Sequence, residues 1–365
     1  MRLVMDSNRN ISGVVRLKPF APPRPTMDRK AVSFLIVGLL AGMFLTTGAF
    51  AWLAAGHRGR PAGDDRLVLK LAHTLPPAAP VHVAMERFAE LVAAKSGGTV
   101  EVQIFPSGQL GSETETLEQL QRGALALVKT STAALEGFVP AMAVFGVPYV
   151  FRSEDHFWRV LEGPLGEELL AAGETADIHG LCYYDAGARS FYTVPRGVNA
   201  PADLAGLKIR TQRSATSMEM IATLGGSAAA IPFGELYTAL QQGMVDGAEN
   251  NPPSVYDSRH WEVAKHYALD EHTRVPDMLV FSQPVWRRLS PEVQAWITEA
   301  ARESVPFQRQ IWAEYVAECL TKLEAEGVTI TRPDQAAFQA AVGPMYEALR
   351  ETPLGPLVER VQAVE

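Results

Sequence analysis

Residues 231–254 read IPFGELYTALQQGMVDGAENNPPS, and the punctuation of this stretch sets the fold class. Pro232, Phe233 and Gly234 make a turn. Leu236, Ala239 and Leu240 then recur at helical spacing within Glu235–Gln242, and Gly243 stops the helix. Met244 and Val245 open a short strand that gives out into Asp246–Pro253. Pro252 and Pro253 lack backbone donors and have a fixed φ, which predicts that Asn250 and Asn251 sit in a rigid loop at a strand end. Taken alone, the same residues fit an ordinary helix stop and turn equally well, so the neighbouring segments decide.

Upstream, Leu207–Thr211 alternates as a strand and Thr216–Leu224 as a helix closed by Gly225 and Gly226. Leu67–Ala72, Val100–Phe105 and Ala124–Val128 read as strands separated by helices over Pro80–Ala94 and from Ser112, with Glu113 and Glu115 in the first turn of the second. This alternation predicts right-handed βαβ units and a mainly parallel sheet. Gly180–Asp185 and Phe191–Val194 are further strands, and His260–Tyr267 is expected to begin a helix. Ser290 and Pro291 are an N-cap and first-turn proline for a helical pattern running to about Glu326, interrupted only by Pro306 and expected to kink there. A helix of that length can run across the back of two lobes.

The 365 residues are 47% hydrophobic and 20% charged, enough for two domains or one large one. Ala31–Ala55 is an uncharged run preceded by Arg29 and Lys30, with Ala49-Phe50-Ala51 as a cleavage candidate: a signal peptide or membrane anchor over 27–55. It places the remainder of the chain outside the cytoplasm. Residues 1–26 form a basic extension, untranslated or disordered, which makes Met27 a candidate initiator, and 56–65 form a linker. Residues 1–60 carry nine Lys/Arg against two acids, so of the overall −8 the rest of the chain holds −15. That balance argues against nucleic acid as a partner. Cys182 and Cys319 are the only cysteines, and a buried free thiol is expected at Cys182.

The sequence contains no G-x-S-x-G elbow, H-E-x-x-H, P-loop, strand-linked G-x-G-x-x-G or C-x-x-C. Asp270-Glu271-His272 offers metal-ligand chemistry, but a single stretch rarely closes a site. Neither a metal nor a cofactor is expected. Arg189, Arg210 and Asn250 fall at predicted strand ends, where open α/β sheets bind ligands. Two guanidinium forks and an amide suit a small hydroxylated acid, with Phe233 as an apolar floor. The alternative is that both arginines are surface charges paired with Asp185 or Asp203.

The ordered series HTLP (73–76), FPSGQLGSETETLEQLQRG (105–123), VPYVF (147–151), GARS (187–190), DLAGLKIR (203–210) and FGELYTALQQGMVDGAEN (233–250) resembles the DctP-type extracytoplasmic solute-binding proteins of TRAP transporters, from Leu67 onward. The resemblance implies a two-lobe periplasmic-binding-protein-like α/β fold with hinge strands and a long kinked helix spanning both lobes. It implies lobe I over 66–186 and 276–315, and lobe II over 187–275 and 316–365. By motif, Arg210 resembles the arginine that pairs the ligand carboxylate and Arg189 the second ligand arginine. Phe233 matches the aromatic packing position and Asn250 the anchoring asparagine. His73, Thr74, Thr130 and Ser131 align with loops that read the rest of the ligand. ENNPPS with SRHWEV and LDEHTRVPD looks like the branch associated with sugar acids such as hexuronates. A C4-dicarboxylate or other organic acid is the alternative ligand. The implied protein is a periplasmic monomer that delivers its ligand to membrane permease subunits. A lyase or hydrolase using Glu235 or Glu249 as base, or a membrane-tethered receptor, are the competing classes.

Overall fold

A computed structural model describes residues 66–365. The expectations for the extension, the apolar run and the linker lie outside the described residues. Two sheets organise the chain. The first has five strands, in spatial order Val100–Phe105 (β2), Leu67–Ala72 (β1), Leu127–Ser131 (β3), Asp277–Ser282 (β10) and Ile178–Tyr184 (β4). The second has six: Thr329–Thr331 (β11), His266–Arg274 (β9), Ala188–Thr193 (β5), Gly247–Asn250 (β8), Lys208–Thr211 (β6) and Ser227–Ala230 (β7). β1 runs parallel to β2 and β3, as the helical crossovers require, but β10 enters antiparallel between β3 and β4. The first sheet is therefore mixed rather than mainly parallel.

Both sheets carry a core cluster on each face. In the first, Val128, Tyr183 and Val280 face one core cluster while Leu127, Cys182 and Leu279 face the other. In the second, Phe191, Ile209 and Ala268 pack on one side, and Tyr192, Ala248 and Tyr267 on the other. Cys182 and Cys319 are both buried free thiols, and burial pushes each up to about 12.

The chain passes between the sheets through Asp185-Ala186-Gly187, from β4 to β5, and through Val275-Pro276, from β9 to β10. The crossings lie side by side, because Asp277 pairs with Tyr184 in one sheet and Arg274 with Ala188 in the other. The helix Pro291–Ala325 continues through Pro306 and packs on the Pro80–Lys95 helix of the first sheet and on Pro252–Asp257 of the second. Its Gln308 grips the first crossing twice, accepting from the Asp185 N–H and donating to the Asp185 carbonyl, each at 2.8 Å.

Three local expectations change. His260–Tyr267 is a single 3-10 turn, His260–Glu262, followed by β9. Asn251-Pro252-Pro253 is not a loop but a helix start: Asn251 caps the Ser254 N–H at 2.8 Å, and prolines suit the first turn, whose N–H groups have no intrahelical partner. The last helix, Gly355–Ala363, falls within the stretch expected in the second lobe, yet its Val358 and Val361 pack into a core cluster of the first sheet.

Candidate functional site

Arg210 lies on β6 between β7 and β8, a central position that explains its 1% exposure. Its Nε donates to the Ile231 carbonyl at 2.8 Å, and its guanidinium carbon sits 5.9 Å from the Phe233 ring centroid. Its Nη1 is buried without a hydrogen-bond partner. Burial pulls the Arg210 pKa below its usual value, an effect that Tyr192 and Glu249 partly oppose. A buried guanidinium with an unused donor beside a cleft is costly unless an acceptor arrives. The neighbours that form this cradle come from the stretch 231–254: Gly243 at φ +66 ends helix Leu236–Gln241, and Pro232 turns the chain so that Phe233 lies beside Arg210.

Arg189 and Asn250 sit on neighbouring strands β5 and β8. Arg189 is not a surface charge: it pairs with Glu249 through Nε and through Nη2, the latter at 2.8 Å, and its Nη1 donates to Asn250 Oδ1 at 2.9 Å. Behind it, His272 lies 3.6 Å from Glu249, bonds Asp270 at 2.8 Å and stacks on Phe191. His272 is thus shared between Asp270 and Glu249. Among the described residues, no group of three or more His, Cys, Asp or Glu side chains is arranged to hold a metal ion.

Burial alone would raise the Glu249 carboxyl, but Arg189 and His272 outweigh it and bring it to about 2. Burial alone would lower His272, but the Asp270 and Glu249 carboxylates raise it to about 9. The depressed Glu249 contributes stability that is present above the ordinary carboxylate range and is lost as pH falls toward about 2. The raised His272 contributes stability that is full below about 6.5 and is lost as pH rises through about 9. Urea unfolding is therefore expected to show stability falling between those two values, with the decline flattened in His272→Gln.

The first sheet supplies the opposite wall. Thr74 and Ser131 line the cleft at the ends of β1 and β3. Ser131 Oγ meets Gln212 Oε1 at 3.2 Å, and Gln212 Nε2 donates to Glu113 Oε2 at 3.2 Å, so the walls touch across the cleft. At the rim, Glu136 accepts from the Thr216 N–H and hydroxyl at 3.1 and 2.9 Å and from the Ser214 hydroxyl, capping helix Ala215–Thr223 of the other sheet. Two expected residues stand behind the wall. His73 is buried, bonds His82 at 2.9 Å and accepts from the Leu75 N–H, bracing the turn that carries Thr74. Burial, reinforced by Lys129 and His82, takes it down to about 3. Thr130 is fully buried and points its hydroxyl at the Ser131 carbonyl.

Sequence reasoning missed Glu113, Lys129, Gln212, Asp277 and Trp312, all of which line the cleft. A lysine directly after the apolar pair Leu127-Val128, at the point where the strand turns polar, is the available signal for Lys129. The recess holding Arg189, Asn250 and Trp312 and the one holding Arg210 share Thr74, Glu113, Gln212 and Phe233, so they are two ends of one cleft. They measure ≈ 590 and ≈ 970 Å³ counted with their solvent-filled mouths.

A cleft between two α/β sheets, crossed by paired strands and ending in a buried cation, defines a two-lobe solute-binding protein. Residues 71–352 match the model of bacterial extracellular solute-binding protein family 7, DctP, and the chain belongs to that family. It is similar to a TRAP periplasmic solute-binding protein from Bradyrhizobium sp. BTAi1 in complex with α/β-D-galacturonate, at 43% identity and TM-score 0.79, covering 80% of this chain and 99% of that one. A TRAP periplasmic solute-binding protein from Roseobacter denitrificans with bound β-D-glucuronate is 39% identical, with TM-score 0.79 and coverage of 82% and 100%. A solute-binding protein of Chromohalobacter salexigens is 36% identical over 273 residues, 74% of this chain and 81% of that protein.

Proposed function

We propose that this protein captures a hexuronate in its interlobe cleft outside the cytoplasm, in the periplasm, and delivers it to the membrane permease of a TRAP transporter. The observation that carries the reading is the buried, unpaired Nη1 of Arg210, a residue that lines the cleft. The ligand carboxylate accepts from it in a charge-assisted bond, while Arg189 and Asn250 form the adjoining polar floor and Phe233 the apolar one. Thr74 and Ser131 meet the ligand from the first lobe; His73 and Thr130 support them from behind. Similar proteins that hold galacturonate and glucuronate supply the ligand class. The segment Ala31–Ala55 acts either as a cleaved leader or as a tether that leaves the binding unit outside.

An enzymatic reading has little support in the site. Glu249, its most central candidate base, is held at about 2 between Arg189 and His272, too low to take a proton near neutrality. Glu235 is exposed on the short turn Phe233–Glu235. Thermal-shift titration tests the function, because a ligand that binds only the folded chain raises its midpoint. D-Galacturonate and D-glucuronate are expected to raise it and to be recovered unchanged by mass spectrometry. A midpoint that responds to neither, or conversion of the acid, would overturn the proposal.

A further inference from the structure

The first-lobe wall carries charges that the carboxylate site does not use. Lys129 on β3 and Asp277 on β10 occupy the same face of adjacent antiparallel strands, since Ser131 pairs with Asp277 and Lys129 with Leu279. Their side chains form an ion pair of 2.7 Å at 4% and 9% exposure, and both line the recess shared with Arg189 and Asn250. Glu113, at the first position of helix Glu113–Gln121, is held by the Ser131 N–H at 2.9 Å on one oxygen and by Gln212 at 3.2 Å on the other. It lines both ends of the cleft. A carboxylate oxygen accepts two hydrogen bonds, so each oxygen of Glu113 keeps one lone pair for a ligand. An ammonium has three donors, and Asp277 engages one.

These three residues are oriented acceptors and donors with a net charge of −1, beside the recess that holds the buried Arg210. Hydroxyls suit such a wall, because each donates to a carboxylate in a short charge-assisted bond and accepts from the ammonium. A second carboxylate does not suit it: placed in this recess it meets Glu113, Asp257 and Asp277, while the two cations there, Lys129 and Arg189, are already paired with Asp277 and Glu249, and a like charge in a desolvated cleft is repelled. We propose that Glu113, Lys129 and Asp277 read hydroxyls at the far end of the ligand, selecting polyhydroxylated monocarboxylates and rejecting acids that carry a second carboxylate there. The inference rests on Arg210 taking the carboxylate and deepens the hexuronate reading without depending on that sugar.

Calorimetry on the full chain with D-galacturonate, D-gluconate, galactarate and succinate tests it. Galactarate has the hydroxyls and carbon count of galacturonate with a carboxylate at both ends. The better of the two hydroxy monocarboxylates is expected to bind at least about 30-fold tighter than galactarate, the scale of one lost bond to a charged group. Glu113→Gln and Asp277→Asn are each expected to weaken that acid by about tenfold or more and to narrow its margin over galactarate. Glu113 is partly exposed, so its variant keeps the comparison valid where Asp277→Asn, which strands the Lys129 charge, fails to fold. Equal binding of galactarate or succinate, or variants that weaken all four acids by one factor, would overturn the wall. Gluconate binding with the expected margins and no galacturonate binding would overturn the hexuronate reading and leave the wall standing. Galacturonate binding with galactarate equally tight would do the reverse, and no binding of any of the four would sink both.

Discussion

Arg210→Ala is expected to weaken binding of the acid by at least about 30-fold, roughly 2 kcal/mol, because a charge-assisted bond in a water-poor cleft disappears. The unliganded protein is expected to unfold at an unchanged or higher midpoint. In the free state the guanidinium is 1% exposed, with Nε satisfied by Ile231 and Nη1 unsatisfied, so its removal relieves a buried donor that has no protein partner. Arg210→Lys keeps the charge but not the planar fork, and an intermediate loss is expected. Calorimetry with D-galacturonate, alongside thermal unfolding without ligand, separates the two effects. Unchanged affinity in the alanine variant would remove Arg210 from the site.

Glu249→Gln is expected to act in the other direction, on stability first. Glu249 is the shared counter-ion of Arg189 and His272, at 2% exposure. Its replacement leaves two buried cations facing a neutral amide, and breaking a buried pair in this way typically costs about 3–5 kcal/mol. His272 then retains only Asp270 and loses its proton more easily, which limits the damage at higher pH. Urea unfolding at neutral pH, where His272 is charged, is expected to show the full loss. Affinity is expected to fall as well, since Arg189 loses the partner that fixes it beside Asn250. Stability within about 0.5 kcal/mol of the parent, the usual range for an ordinary surface change, would show that the pair is not held as described.

The elements with strong local signals are legible in the amino-acid order alone. The capping box of Ser112 and Glu115, the Ser290 cap and the Gly243 stop lie where the residues imply. Arg189, Asn250 and Phe233 line one recess of the cleft, and Arg210 and Phe233 line the other. The two strands that carry the second crossing are not legible in this way. β9 reads HYALDEHTR, and its polar Asp270 and His272 are fully buried because Asp270 bonds His272 and the Phe191 N–H while His272 also lies within ion-pair reach of Glu249. A pairing between residues distant in sequence leaves no periodic trace. β7, Ser227–Ala230, has no β-branched residue to mark it. Lys129 and Asp277 escape notice for the same reason as β9: their ion pair joins strands almost 150 positions apart.

The grip of Gln308 on Asp185 gives the longest helix a mechanical role. Two residues before Gln308, Pro306 has no N–H to offer the carbonyl one turn back, so the backbone ladder of Pro291–Ala325 lacks a rung there. The turn of the rod most easily flexed is thus the turn bolted to the crossing between β4 and β5. A rotation of one sheet against the other reaches the helix through Asp185 and can be taken up as bending at that turn, leaving the packed ends undisturbed. That turn, short of one backbone rung and fastened to the crossing, is the place where the rod resists bending least.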